Sequence, residues 1–194
     1  MRAWFNQLRR RLVRSLAFRS VFGERSQGRW LPNTRISPSA CLEHEERLVL
    51  HDHVYVGPFV LIEASGGVTL HEGVQVTSHV SIVTHSSHRS MRLLGRGYVR
   101  WQGERPGWIG GPVEVGAWSF IGPHSLIEAN TRLGKGTLVC AGSFVRGSFP
   151  DFAVLEGRPA RMVGDTRRAD ARLIERHPEL RALRAQWAGP DDPA

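Results

Sequence analysis

The sequence has two cysteines, one lysine and no long apolar run. Cys41 and Cys140 cannot form a disulfide framework, which excludes a small stapled secreted fold and suits a reducing, cytoplasmic setting. No stretch is apolar over the roughly 20 residues that a membrane-spanning helix needs. The first 22 residues contain no acid. Six arginines interrupt their apolar residues, which removes the uninterrupted core of a secretory signal. Lysine occurs only at Lys135, so the 26 basic residues are otherwise arginine. The net charge of +8 permits phosphates, anionic membranes or nucleic acid as partners, and also fits a general arginine bias. No nucleic-acid-binding motif accompanies the charge, so no nucleic-acid partner is expected.

What is present is a period of six. Val115, Ile121, Ile127, Leu133, Val139 and Val145 are each six apart. Two residues before each stands Val113, Ser119, Ser125, Thr131, Thr137 or Ser143. A helix repeats near 3.6 residues and a strand at 2, so a strict six means a chain that turns a corner every six residues. This hexapeptide pattern predicts a parallel β-helix. The count starts earlier, at Ile36 and Leu42, resumes after eight at Leu50, Val56 and Ile62, and after eight again at Leu70, Val76 and Ile82. The two insertions predict widening of the same corner on successive coils. Between Ile82 and Val113 the count fails, and a glycine-, arginine- and tryptophan-bearing loop is predicted to protrude.

The predicted organisation follows. Residues 1–23 form a basic amphipathic helix, with Trp4, Leu8, Leu12 and Leu16 at i+4 spacing. It either caps the open end of the solenoid or lies on an anionic membrane surface as a peripheral contact through residues 1–22. Residues 24–33 form a linker and residues 34–164 the β-helix, with the loop at 83–112. Residues 165–194 form a helical tail, with an N-cap at Asp165 or Thr166, a second short helix after Pro178 and a frayed end.

The residues suited to chemistry sit where the array breaks, in Thr84-His85-Ser86-Ser87-His88-Arg89. A positioned histidine can take a proton from a hydroxyl at neutral pH. Glu63, on the preceding coil, is a candidate for orienting the histidine or an acceptor. Nothing points to a covalent intermediate, because Cys140 belongs to the array and Ser86 and Ser87 lack a base-plus-orienter arrangement.

The run Val115 to Val145, followed by Gly157-Arg158-Pro159-Ala160-Arg161, resembles the hexapeptide-repeat acyltransferases, in the galactoside, maltose and exopolysaccharide O-acetyltransferase branch. The resemblance covers roughly residues 34 to 164. It implies an all-β solenoid, a left-handed parallel β-helix, assembled as a homotrimer with acetyl-CoA as co-substrate between subunits. It further implies acetyl transfer to a sugar hydroxyl in a cell-surface or lipid-linked glycan, in the cytoplasm or at the inner face of the membrane. The family's histidine base falls next to Ser87 when hexads are counted from Leu70. His88 needs one inserted residue and His85 lies two positions early, so His88 is preferred and His85 is the alternative.

For CoA the resemblance implies backbone contacts at Ala141, Gly142, Val145 and Arg146, and a basic contact at Arg161; Arg158 is added on charge alone. Three departures stand out. Pro123 removes a backbone donor that relatives offer to CoA. Phe120 replaces a tryptophan, and Ala64-Ser65 replaces an acidic pair that serves acceptor hydroxyls. Two other readings remain: a trimeric zinc enzyme of the carbonic anhydrase type, for which the ligand spacing is missing, and a non-catalytic β-helix scaffold at a membrane. No metal site is expected.

Overall fold

The computed structural model describes residues 2–189. Met1 and residues 190–194, which hold the expected frayed end, lie outside them.

The chain passes through three parallel sheets in rotation. The first face carries Arg35–Ile36, Tyr55–Val56, Gln75–Val76, Phe120–Ile121, Leu138–Val139 and Ala153–Gly157. The second carries Cys41–Glu43, Leu61–Glu63, Ser81–Val83, Leu126–Ile127 and Phe144–Val145. The third carries Leu48–Leu50, Val68–Leu70, Val113–Val115, Thr131–Leu133 and Ser148–Phe149. Each strand pairs in parallel with its counterpart one coil away, as in Leu50↔Leu70↔Val115↔Leu133. This is a parallel β-helix of five coils.

The six-residue rule becomes a core for a simple reason. One aliphatic side chain per side points inward, and Val115, Ile121, Ile127, Leu133, Val139 and Val145 are all at most 1% exposed. Burying each contributes about 1.5–3 kcal/mol. The small residues two positions earlier are buried as well, and the hydroxyls of Ser119, Ser125, Thr137 and Ser143 satisfy corner carbonyls. The Ser119 and Thr137 hydroxyls both donate to the Gly134 carbonyl, at 3.1 and 2.7 Å. The Ser125 and Ser143 hydroxyls donate to Cys140 in the same way, at 3.2 and 2.7 Å.

The two eight-residue gaps fall at the second-to-third corner. One is filled by the 3₁₀ turn Glu45–Arg47, the other by Ala64-Ser65-Gly66-Gly67. The long loop leaves from the same corner one coil later and returns in register at Val113↔Val68.

Other corners need a left-handed residue. Phe59, His79 and His124 have φ of 58°, 60° and 60° at the first-to-second corner of successive coils. A bulky side chain there costs about 1–2 kcal/mol relative to glycine. Stacking offsets it: Phe59 to His79 is 4.9 Å, and His79 to His124 is 4.7 Å with the rings 6° from parallel. His51 and His71 likewise face each other on successive coils, with ring centroids 4.9 Å apart.

Glycines at the third-to-first corner permit close coil approach. A Cβ on Gly116 would stand 2.5 Å from the backbone of Gly134 and Lys135, while its own N–H donates to Leu133 at 2.8 Å. Gly116→Ala is therefore expected to lower stability by about 2 kcal/mol. Equilibrium urea unfolding checks this, and an unchanged midpoint would contradict it.

The ends differ from the sequence expectation in one place. Residues 24–33 are not a bare linker. Glu24–Ser26 and Arg29–Leu31 form an antiparallel hairpin that closes the first coil. Leu31 is 1% exposed, and the Ser26 hydroxyl accepts from Leu50 N–H at 2.9 Å. The hairpin has taken the capping role, and helix α1 (Arg2–Ala17) has no buried residue. In the loop, α2 spans His88–Leu94. At the far end, Ala153–Gly157 and Ala160–Asp165 form a hairpin, followed by α3 (Thr166–Arg176) and α4 (Leu180–Ala188). Asp165 caps α3 by accepting from Arg167 N–H at 2.9 Å. Trp187 of α4 packs near Trp118 and Phe152 on the coils.

Candidate active site

Register places the site. Leu61–Glu63 pairs with Ser81–Val83 as Ile62↔Ile82 and Glu63↔Val83. Thr84 and His85 therefore leave the coil beside Glu63. His85–Ser86 then pairs antiparallel with Ile109–Gly110, so the two legs of the loop form a short ribbon. Gly111 N–H donates to Thr84 carbonyl at 3.0 Å, and Asn130 Nδ2 donates to Gly110 carbonyl at 3.2 Å. Gly66 lies beneath, where a Cβ would stand 2.8 Å from Gly111 O and 2.9 Å from Thr84 Cβ.

Glu63 is 6% exposed. Its Oε1 accepts from Ser65 N–H at 2.8 Å. Its Oε2 accepts from Thr84 N–H at 3.1 Å and from the Thr84 hydroxyl at 2.8 Å. His85 Nδ1 lies 2.8 Å from the same Oε2. Burial alone would raise the Glu63 pKa. The hydrogen bonds from Ser65 and Thr84 outweigh burial and bring it from 4.5 to about 2. The carboxylate is therefore ionised at neutral pH, and Nδ1 of His85 is the protonated nitrogen that donates to it. In the neutral ring, Nε2 then carries the lone pair.

The imidazole is also held flat. Trp108, from the returning leg, stacks on it at 4.7 Å with the planes 7° apart. The Ser65 hydroxyl is 3.1 Å from Nδ1. Arg105 lies over Tyr98 at 4.8 Å and over Trp108 at 5.9 Å, and the buried Ser90 hydroxyl donates to Pro106 carbonyl at 2.8 Å. These contacts give the loop its own packing.

His88, preferred on the hexad count, is the first residue of α2 and is exposed; its Nδ1 faces only the Ser86 hydroxyl at 2.7 Å. His85 rather than His88 stands beside Glu63 because the ribbon, not another hexad, carries the chain out of the coil. Trp108 and Thr84 received no role from sequence. The signal for them was available in the register: Ile62 over Ile82 puts Glu63 next to the residues after Val83.

The residues assigned to CoA lie farther along the solenoid. Ala141 is exposed at a first-to-second corner, and Gly142 follows it with φ 74°. Val145 is fully buried, so only its backbone can meet a ligand. Arg146 is exposed at the second-to-third corner, two coils beyond His85, with Glu128 at 3.9 Å. Arg158 Nε donates to Gly142 carbonyl at 2.5 Å, and Arg161 stands opposite Glu156 in the terminal hairpin. Both guanidinium groups are exposed, and among the described residues neither has an ion-pair partner, which suits phosphate binding. Pro123 contributes its carbonyl, which accepts from Gly142 N–H at 2.8 Å. Within one chain, Arg158 and Arg161 do not share the corner occupied by His85.

Among the described residues, a concavity between Trp118, Trp187, α3 and α4 is lined by no histidine, serine, threonine or cysteine. Among the described residues no three His, Cys, Asp or Glu side chains are grouped to hold a metal ion.

The coil topology and corner chemistry define a hexapeptide-repeat β-helix. Acetyl- and acyltransferases of known structure share this fold. A hexapeptide-repeat-containing acetyltransferase from Vibrio cholerae, complexed with acetyl coenzyme A, superposes with a TM-score of 0.58 at 21% identity, over 82% of this chain and 77% of that one. Galactoside acetyltransferase in complex with coenzyme A gives 0.57 at 20% identity, over 72% and 65%. AntD, an N-acyltransferase from Bacillus cereus in complex with dTDP and 3-hydroxybutyryl-CoA, gives 0.53 at 18%, over 88% and 95%. Serine acetyltransferase 4 of Arabidopsis thaliana is 25% identical over 132 residues, 68% of this chain. The chain spans about a third (34%) of that relative's length. No family model matches the sequence.

Proposed function

We propose that the protein is a CoA-dependent O-acetyltransferase that moves an acetyl group from acetyl-CoA to a sugar hydroxyl. In this reading the β-helix is left-handed, and the chain works as a homotrimer on a cell-surface polysaccharide or lipid-linked glycan. It is cytoplasmic, with a peripheral contact at the inner face of the membrane. The observation that carries the reading is the pairing of His85 with the buried, ionised Glu63 at the root of the loop. The acyltransferase fold and the sugar-nucleotide and CoA complexes of structural relatives support it.

Acetyl-CoA would supply the activated acyl group. Arg161 and Arg158 suit its phosphates, and the corner backbone at Ala141 and Gly142 and the strand end at Val145 and Arg146 suit its chain. His85 Nε2 accepts the proton of the acceptor hydroxyl as that oxygen attacks. Glu63 holds the ring in the required tautomer and stabilises the imidazolium. His85 then returns the proton to the leaving thiolate. Trp108 keeps the ring from rotating and shields one of its faces from water. No side chain of this site needs to become acylated, so transfer is direct. A homotrimer would bring the Arg158–Arg161 hairpin of one chain and the His85 edge of another to one groove, which a single chain does not do.

Purified protein mixed with acetyl-CoA and a panel of sugars is expected to release free thiol with at least one of them. Failure to bind CoA in calorimetry removes the reading. Arg161→Ala is expected to weaken CoA binding about tenfold, from loss of a charged hydrogen bond, without altering the fold.

A further inference from the structure

The first-coil end of the solenoid carries exposed apolar side chains set among arginines. On α1, Trp4, Phe5, Leu8, Leu12 and Leu16 are 48–72% exposed. At 3.6 residues per turn these five occupy about 120° of the helix circumference. Arg11 borders the stripe on one side, Arg9 and Arg2 on the other, with Arg10 and Arg14 on the opposite face. The helix is joined to the coils through Phe18, whose ring meets the edge of Phe59 at 5.3 Å.

The surface does not stop with the helix. Val21 and Phe22 are exposed, and Arg35 lies over Phe22 at 4.8 Å. On the capping hairpin Trp30 is 58% exposed, with Arg25 at 6.0 Å. The first 35 residues hold nine arginines and one acid, Glu24. Among the described residues none of these arginines is in an ion pair.

We propose that α1, the Val21-Phe22 segment and the Trp30 hairpin together form a docking surface for an anionic lipid bilayer. The apolar stripe enters the headgroup boundary and the flanking guanidinium groups bind lipid phosphates. Charge selects this occupant. Two copies meeting through this face would bring arginines together with almost no acid between them. A bilayer bearing acidic lipids supplies the missing charge.

The surface also sets the orientation of the solenoid. Coils are spaced by about 4.8 Å, so His85 on the third coil stands roughly 10 Å from the first. On the acyltransferase reading, that height suits an acceptor carried on a lipid headgroup.

Vesicle binding tests the surface without CoA or any acceptor, so its outcome is separate from that of the enzymatic reading. The full chain is expected to bind vesicles of phosphatidylcholine mixed with phosphatidylserine at least about tenfold more tightly than phosphatidylcholine alone, and to dissociate at high salt. Leu8→Glu with Leu12→Glu is expected to weaken binding about tenfold or more, and Trp30→Ala about threefold, with thermal unfolding unchanged because all three residues are exposed. Equal binding to neutral vesicles, or none to either, overturns the proposal. So does full affinity in Trp30→Ala, which would take the hairpin away from the surface. Self-association in sedimentation that the Leu8/Leu12 variant abolishes would assign the stripe to a second copy and overturn it as well.

Discussion

His85→Ala is expected to lower kcat/KM for acetyl transfer about a thousandfold, the scale of a lost general base, while His88→Ala stays within about threefold of the parent. The two histidines are three residues apart and differ in everything that makes a base useful. His85 has a carboxylate fixing one nitrogen, a tryptophan fixing the ring plane and a coil fixing the backbone. Among the described residues the His88 side chain has one hydrogen bond, with a hydroxyl on the same loop. Only His85 leaves a defined nitrogen, Nε2, free to accept a proton. Initial rates with the best acceptor of the sugar panel separate the variants, with CoA affinity from calorimetry as the control. Unchanged CoA binding in both variants would locate the His85 defect in the chemical step. A His88→Ala enzyme that loses activity while His85→Ala keeps it would reverse the assignment.

Much of this molecule can be read in one dimension, and the exceptions have a physical pattern. The hexads found the coils because one inward side chain per six residues is a property of the backbone path, and Leu70, Val76 and Ile82 obey it as Val115, Ile121 and Ile127 do. The paired insertions before Leu50 and Leu70 also resolved to one corner. Asp165 as an N-cap needs only its own hydroxyl-free carboxylate and the next turn, so it too was legible. What escaped were features made by residues distant in sequence. Trp108 stacks on His85 only because the two legs of a loop pair, and nothing in the loop's composition announces that ribbon. The hairpin at Glu24–Leu31 reads as a polar linker because its buried contribution rests on Leu31 and Ser26 alone. The corner ladder Phe59, His79 and His124 is spaced by 20 and 45 residues, since an insertion and then the loop stretch the period between rungs. The count could not place His85 and His88 relative to Glu63 for the same reason. A hexad count extrapolates the coil, and the chain has already left it at Thr84.

Glu63→Gln is expected to damage stability and catalysis together, with a pH signature that tells the carboxylate's role from that of its shape. The carboxylate receives two backbone N–H groups and the Thr84 hydroxyl while almost fully buried. Holding its pKa at about 2 rather than 4.5 is worth roughly 3 kcal/mol of folding free energy. The native pKa is depressed, so the unfolded chain binds the proton more tightly. The contribution is therefore present in full above about pH 4.5, shrinks as the pH falls, and is lost once the pH passes below about 2. Glutamine keeps the shape but brings an NH₂ that must face Ser65 N–H on one side or Thr84 N–H and His85 Nδ1–H on the other. One donor then faces another, and His85 is released toward the tautomer that carries its proton on Nε2. The variant is expected to lose about 10- to 100-fold in kcat with little change in KM, the scale of a lost orienting partner. In urea unfolding the gap between parent and variant should be widest at neutral pH and narrow steadily on acidification toward pH 2. A gap that stays constant with pH would mean that Glu63 is held by packing alone, and would remove the basis for treating it as the group that orients His85.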